Sequence, residues 1–217
     1  MKLYNALGPN PRVVRMFAHE KGIQLELVTV DLLKAENRGA AYTSSVNPAG
    51  QVPALQLDEG TVITEITAIC EYLEELQPQP SLIGTNAKER AETRMWARRG
   101  DLLIAEPMAQ GFRYAEGLAI FKDRMRCIPS AAAELKQIGQ DGLKWLDTQL
   151  GDKPFIVGQR FTFADIALYG LLDFASTVGQ PLDPSLTKLG AWFRRVGERP
   201  SGAASLHPAA TKIHMHG

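Results

Sequence analysis

Apolar positions follow two different rhythms along this chain. From Pro11 to Gly22, Val13, Val14, Met16, Phe17 and Ala18 recur at helical spacing, and Gly22 provides a stop. KLYN before it reads as a short strand, and LELVTVD, residues 25–31, alternates and is rich in β-branched residues. The stretch LLKAENRGAAYTSSV is polar and irregular, a loop with a short helix. VPALQL and TVI then form two short strands turned by Asp58-Glu59-Gly60. ITAICEYLEEL places Ile66, Ile69, Tyr72, Leu73 and Leu76 on one helical stripe. The predicted order is β-α-β-α-β-β-α, a small mixed sheet with helices.

The rhythm changes after residue 77. QPQPSLIGTNA is polar, and its prolines cannot continue a helix. Everything beyond reads as helical: 87–120, 130–150, 163–178 and 186–199, with Pro107 kinking or ending the first of these. A change of class at a proline-rich stretch marks a domain boundary. The division is an α/β domain over 1–78, a linker over 79–86 and an all-α helical bundle over 87–217. Thr162 and Asp165 have the spacing of a capping box at a helix start.

Composition narrows the class of partner. With 24 basic against 24 acidic side chains, the chain lacks the basic excess that nucleic acid or an anionic membrane would select. No apolar run reaches the roughly 20 residues of a membrane helix, and MKLYNALG does not read as a signal peptide. Two cysteines, Cys70 and Cys127, make neither a metal cluster nor a disulfide framework. Cys70 falls on a helix stripe as a small apolar residue. Three of the four histidines lie in HPAATKIHMHG, where a frayed tail is the plain reading. A reduced, soluble, cytoplasmic protein without a metal is expected.

VNPAGQVPAL (46–55), TEITAICEYLEEL (64–76), the proline linker and FTFADIALYG (161–170) together resemble the cytosolic glutathione S-transferases. That resemblance implies a thioredoxin-like N-terminal domain that binds glutathione, a helical C-terminal domain that forms the electrophile site, and a homodimer. It also implies a cis bond at Val52-Pro53, which turns the Val52 N–H and C=O toward the cysteinyl unit of glutathione, a miniature strand addition. Glu65 would receive the γ-glutamyl end. The serine that usually follows is Ile66 here, so backbone N–H groups at the helix start, with Thr67 as a further oxygen, would meet the α-carboxylate. Gln51 and the basic pair Lys34 and Arg38 are candidates for the glycyl end. Asp101 would reach across the dimer toward the partner's ligand. Met108, Phe112, Arg113, Tyr114 and Phe121 would surround the electrophile.

The thiol is the open question. Most members of the family carry Tyr, Ser or Cys in the loop after the first strand, and the resemblance is to a subset with a G-P-x-P loop lacking all three. Here the loop reads ALGPNPRVV. A free thiol has a pKa of about 8.5, so without help little of it is thiolate at neutral pH. The residues allow three answers. The helix N-terminus at Pro9–Arg12, with a water held by Arg113 and Tyr114, could stabilise the anion. Asn10, or Asn5, could donate its amide. Or activation fails, and the protein is a glutathione-binding regulator or chaperone. A glutathione-dependent lyase, isomerase or dehalogenase is the rival among enzymes.

Overall fold

The computed structural model describes residues 1–217, apart from the side chains of Thr211 and Ile213. In chain order the elements are β1 (Lys2–Asn5), α1 (Pro9–Lys21), β2 (Glu26–Thr29), a 3₁₀ turn (Glu36–Arg38), α2 (Ala40–Ser45), β3 (Ala54–Gln56), β4 (Val62–Thr64) and α3 (Ile66–Leu76). There follow α4 (Ala87–Gly100), a π-helical turn (Asp101–Ala105), α5 (Glu106–Tyr114), α6 (Leu118–Phe121), a 3₁₀ turn (Pro129–Ala131), α7 (Ala132–Leu150), α8 (Phe163–Thr177), α9 (Thr187–Gly197), α10 (Pro200–Ala204) and α11 (Ala210–Ile213). The thioredoxin-like and helical architecture implied by the sequence is therefore present.

Two compact units divide the chain. One comprises Met1–Leu82 with Pro200–Gly217, the other Ile83–Arg199. The sequence reading assigned everything after residue 86 to the helical half, and the last 18 residues differ from it (200 through 217). Two arginines of α1 explain why. Arg12 is fully buried; its Nη2 donates to the Gly202 carbonyl at 3.1 Å and its Nε to Ser205 Oγ at 3.3 Å. Arg15 Nε donates to the Ser205 carbonyl at 2.9 Å. Burial, with Arg12 alongside, lowers the Arg15 guanidinium to about 10, still charged at neutral pH. Buried charges hold their place only when hydrogen-bonded, and residues 200–205 supply the acceptors.

Within the first unit the sheet order is β2-β1-β3-β4, with β1 parallel to β2 and antiparallel to β3. Leu3 on the central strand pairs with Leu27 on one side and Leu55 on the other; Leu3 and Leu55 are wholly buried. α1 buries Val13, Val14, Met16, Phe17 and Ala18, as its periodicity predicts, and packs on α3. The buried face of α3 is Ile69, Cys70 and Leu73, while Leu76 is exposed, so the stripe is narrower than predicted. Lys21, buried at the end of α1, donates to Glu74 at 2.6 Å and to the Pro80 carbonyl at 2.5 Å. This fastens both helices to the start of the linker.

The helical unit shows how proline acts. Pro107 has no N–H, and its ring would meet the carbonyl of Leu103 in a regular α-helix. The chain widens into the π-helical turn Asp101–Ala105 just before it, so the predicted kink is a widened turn between α4 and α5. α7 crosses this turn closely. A Cβ at Gly142 would lie 2.4 Å from the Leu103 carbonyl oxygen, which restricts that position to glycine. α8 is buried almost all round, and its start is fixed by Asp165. That carboxylate accepts from the Thr162 N–H at 2.9 Å, the Ile156 N–H at 2.9 Å and Trp192 Nε1 at 2.8 Å. The capping box read from Thr162 and Asp165 is present, with Trp192 and Ile156 as further partners.

Candidate functional site

The site is assembled from three chain segments of the first unit. The first is the turn from β1 into α1. Gly8 is the N-cap of α1, and Pro9, Asn10 and Pro11 open it, with no side-chain cap and no acidic residue in the first turn. Prolines at two of the first three positions remove their N–H groups, so the amides of Gly8 and Asn10 are the donors left at this positive end. The second segment is Asn47–Pro53, where the Val52-Pro53 bond is cis. The third is the junction of β4 and α3 at Glu65 and Ile66.

These segments form one shallow cavity, lined by Asn10, Asn47, Gln51, Val52, Pro53, Glu65 and Ile66. Among these seven residues Glu65 alone is charged. Its backbone lies at φ 70°, ψ 127°, a left-handed conformation rare for a residue with a Cβ, which costs on the order of 1–3 kcal/mol. The strain aims the Glu65 side chain from the residue where α3 begins, beside the N–H groups of that helix's first turn. The arrangement offers one carboxylate for an ammonium group, two helix N-termini for anions, and an edge of backbone for an extended peptide. Val52 makes no hydrogen bond among the described residues, so both its peptide groups are available for such pairing.

The predicted residues divide over this geometry. Asn10, Gln51, Val52, Pro53, Glu65 and Ile66 come together; Pro9 adjoins Asn10 at the start of α1. Thr67 is exposed and outside the lining. Lys34 is exposed and pairs with Asp31 at 3.2 Å. Arg38 donates to the Ala49 carbonyl at 3.1 Å, which makes it a loop fastener in this structure. Asn5 is buried, and its side-chain oxygen accepts from Arg15, so its amide does not line the cavity. In the helical unit Asp101 is exposed and pairs with Arg98 at 2.7 Å. Arg113 lies 3.5 Å from Glu106, and Tyr114 is buried with no hydrogen bond from its hydroxyl among the described residues. Phe112 meets Phe121 and Phe174 edge-on, at 6.2 and 5.4 Å. Asn47 is the lining residue that the sequence reading passed over.

Comparison with known proteins gives the frame. The family model described as "Glutathione S-transferase, N-terminal domain" matches residues 8–76, and "Glutathione S-transferase, C-terminal domain" matches residues 129–195. "Glutathione S-transferase 2" of Saccharomyces cerevisiae is 32% identical over 199 residues, covering 89% of this chain and 84% of that one. The chain belongs to the glutathione S-transferase family. "Maleylacetoacetate isomerase" of Pseudomonas aeruginosa is 30% identical over 219 residues, covering 99% of this chain and 95% of its own. Among solved structures, Gtt2 from Saccharomyces cerevisiae superposes with a TM-score of 0.89 at 30% identity, covering 95% of this chain and all of that one.

Membership of the glutathione S-transferase family gives the cavity its expected ligand class. The family's usual loop hydroxyl or thiol is absent from residues 6–11. In its place the loop contributes Asn10 to the lining, with both an amide side chain and a backbone N–H. Among the described residues no helix is long and apolar enough to cross a membrane, and no group of three or more His, Cys, Asp or Glu could hold a metal.

Proposed function

We propose that this protein binds reduced glutathione in the cavity of its first unit, holds the sulfur as thiolate beside Asn10, and directs it at an electrophilic carbon of a small molecule. The observation that carries this reading is the convergence of Asn10, Val52 and Glu65 on one cavity. Glu65 takes the γ-glutamyl ammonium, the Val52 peptide pairs with the cysteinyl backbone, and the sulfur then falls toward the start of α1. There the Asn10 amide and the positive helix end lower the thiol pKa. The glycyl carboxylate falls to Gln51, since no lining residue is cationic. Arg113 and Tyr114 act on the electrophile. The acting form is a cytoplasmic homodimer; Met95, Leu102 and Leu103, exposed on and just after α4, supply apolar surface for it. The isomerase relative supports one alternative: the same thiolate adds to and leaves a maleyl-type double bond.

The reading is tested by steady-state kinetics on an aryl halide, an organic peroxide and a maleyl ester, in the parent and two variants. Conjugation of the aryl halide marks a transferase; turnover of the maleyl ester alone marks an isomerase. Asn10→Ala should lower kcat/KM about 10-fold or more at neutral pH, the worth of a charge-assisted hydrogen bond. Tyr114→Phe should leave the bound thiolate fraction unchanged. A loss of thiolate in Tyr114→Phe with none in Asn10→Ala would transfer the activating role away from Asn10.

A further inference from the structure

Residues 49–51 lie outside the sheet, yet each of their carbonyls is taken by a side chain from residues 37–47. Arg38 Nη1 donates to the Ala49 carbonyl at 3.1 Å and Asn37 Nδ2 to that of Gly50 at 2.6 Å. The Gln51 carbonyl receives two donors, Tyr42 Oη at 2.8 Å and Asn47 Nδ2 at 3.0 Å. The next residue, Val52, has none among the described residues. The pattern stops at the peptide unit that faces the ligand cavity.

Both donors are themselves fixed. Asn47 is buried, and its side-chain oxygen accepts from the Ala49 N–H at 3.0 Å, which leaves its NH₂ one orientation. Tyr42 is buried with its ring edge-on to Tyr4 at 5.8 Å. Burial beside Tyr4 pushes the phenol up to about 12, so it remains a donor throughout the working pH range. Gly50, at φ 62°, lets the chain pass where a Cβ would sit 2.9 Å from the Asn37 carbonyl oxygen.

We propose that Tyr42 and Asn47 are positioning residues for substrate: by gripping the Gln51 carbonyl together, they set the rotation of the adjoining Val52 unit and so decide how well it pairs with the cysteinyl backbone of glutathione. The inference rests on the proposed glutathione reading. Tyr42 does not line the cavity, so its influence on ligand passes through Gln51.

The test compares glutathione with γ-glutamyl-N-methylcysteinyl-glycine, which lacks the cysteinyl N–H, by titration calorimetry. The parent should prefer glutathione by about 3- to 10-fold, the worth of one hydrogen bond. Tyr42→Phe keeps the ring against Tyr4, and Asn47→Asp keeps the acceptor for Ala49 while turning an oxygen on the Gln51 carbonyl. Each should weaken glutathione several-fold and shrink the preference, and the double variant should bring it close to one, with melting curves showing the fold intact. An unchanged preference in the double variant, or equal weakening of both ligands, overturns the proposal. Failure of the parent to bind glutathione would instead overturn the functional reading, and this inference with it.

Discussion

Glu65→Gly should weaken glutathione binding about 10- to 100-fold and yet melt no lower than the parent. The binding loss follows from removing a carboxylate that takes an ammonium group, a charge-assisted interaction of about 1.5–3 kcal/mol. The stability side follows from the backbone. Glu65 sits at φ 70° with a Cβ, at a cost of about 1–3 kcal/mol, and glycine adopts positive φ without that steric penalty. Against this stands about 0.5–1 kcal/mol of extra chain entropy lost by glycine on folding. The two effects leave stability level or improved. Calorimetric titration and thermal melting on the same preparation check both halves. A variant that both binds and melts like the parent would mean that the strained residue has no part in the site, and one that loses both would make Glu65 a structural residue.

The second large effect lies in the helical unit. Asp165→Ala should cost at least about 3 kcal/mol, because it strands three buried donors at about 1–3 kcal/mol each: the Thr162 and Ile156 N–H groups and the Trp192 indole. That is a large share of the roughly 5–15 kcal/mol that holds a domain folded. Urea unfolding followed by tryptophan fluorescence reads it directly. The pH dependence has a definite sign. Burial is the largest influence on the Asp165 carboxyl and raises it above the ordinary value, despite those three donors and the Thr162 hydroxyl, which favour the anion. The folded state therefore binds that proton more tightly than the unfolded state. Its contribution is complete below the unfolded value of about 3.9 and is lost as pH rises through the raised folded value. The stability difference between parent and Asp165→Asn should shrink across that window as pH rises. A difference that grows there would show that hydrogen bonding outweighs burial.

Much of this architecture can be read from residue order alone. The α1 face from Val13 to Ala18 is set by periodicity, and its end by Gly22. Thr162 and Asp165 announce the start of α8 because a capping box is a local motif, complete within four residues. The Val52-Pro53 unit and Glu65 were legible through family resemblance, since neither residue type alone implies a ligand. What stayed hidden was non-local. The helical periodicity of α1 assigns no partner to Arg12 and Arg15, but residues 200–205 bring acceptors for both from the far end of the chain. Nothing in α1 encodes that. Arg38 is a candidate for the glycyl carboxylate through the family resemblance, which places a basic or amide ligand in that loop. Its hydrogen bond to the Ala49 carbonyl depends on how two loops cross. Asn47 carries no signal of its own in the sequence beyond its place in VNPAGQVPAL. Its wall position and its grip on Gln51 depend on the fold of the whole segment from Asn37 to Pro53.

The account turns on whether this cavity draws a proton from the thiol of glutathione. The most direct measurement is an ultraviolet pH titration of the bound tripeptide, following thiolate absorbance against the free protein. The account predicts saturable uptake and a midpoint at least one unit below the roughly 8.5 of a free thiol. Uptake with a midpoint at the free value, or no uptake at millimolar glutathione, would contradict it.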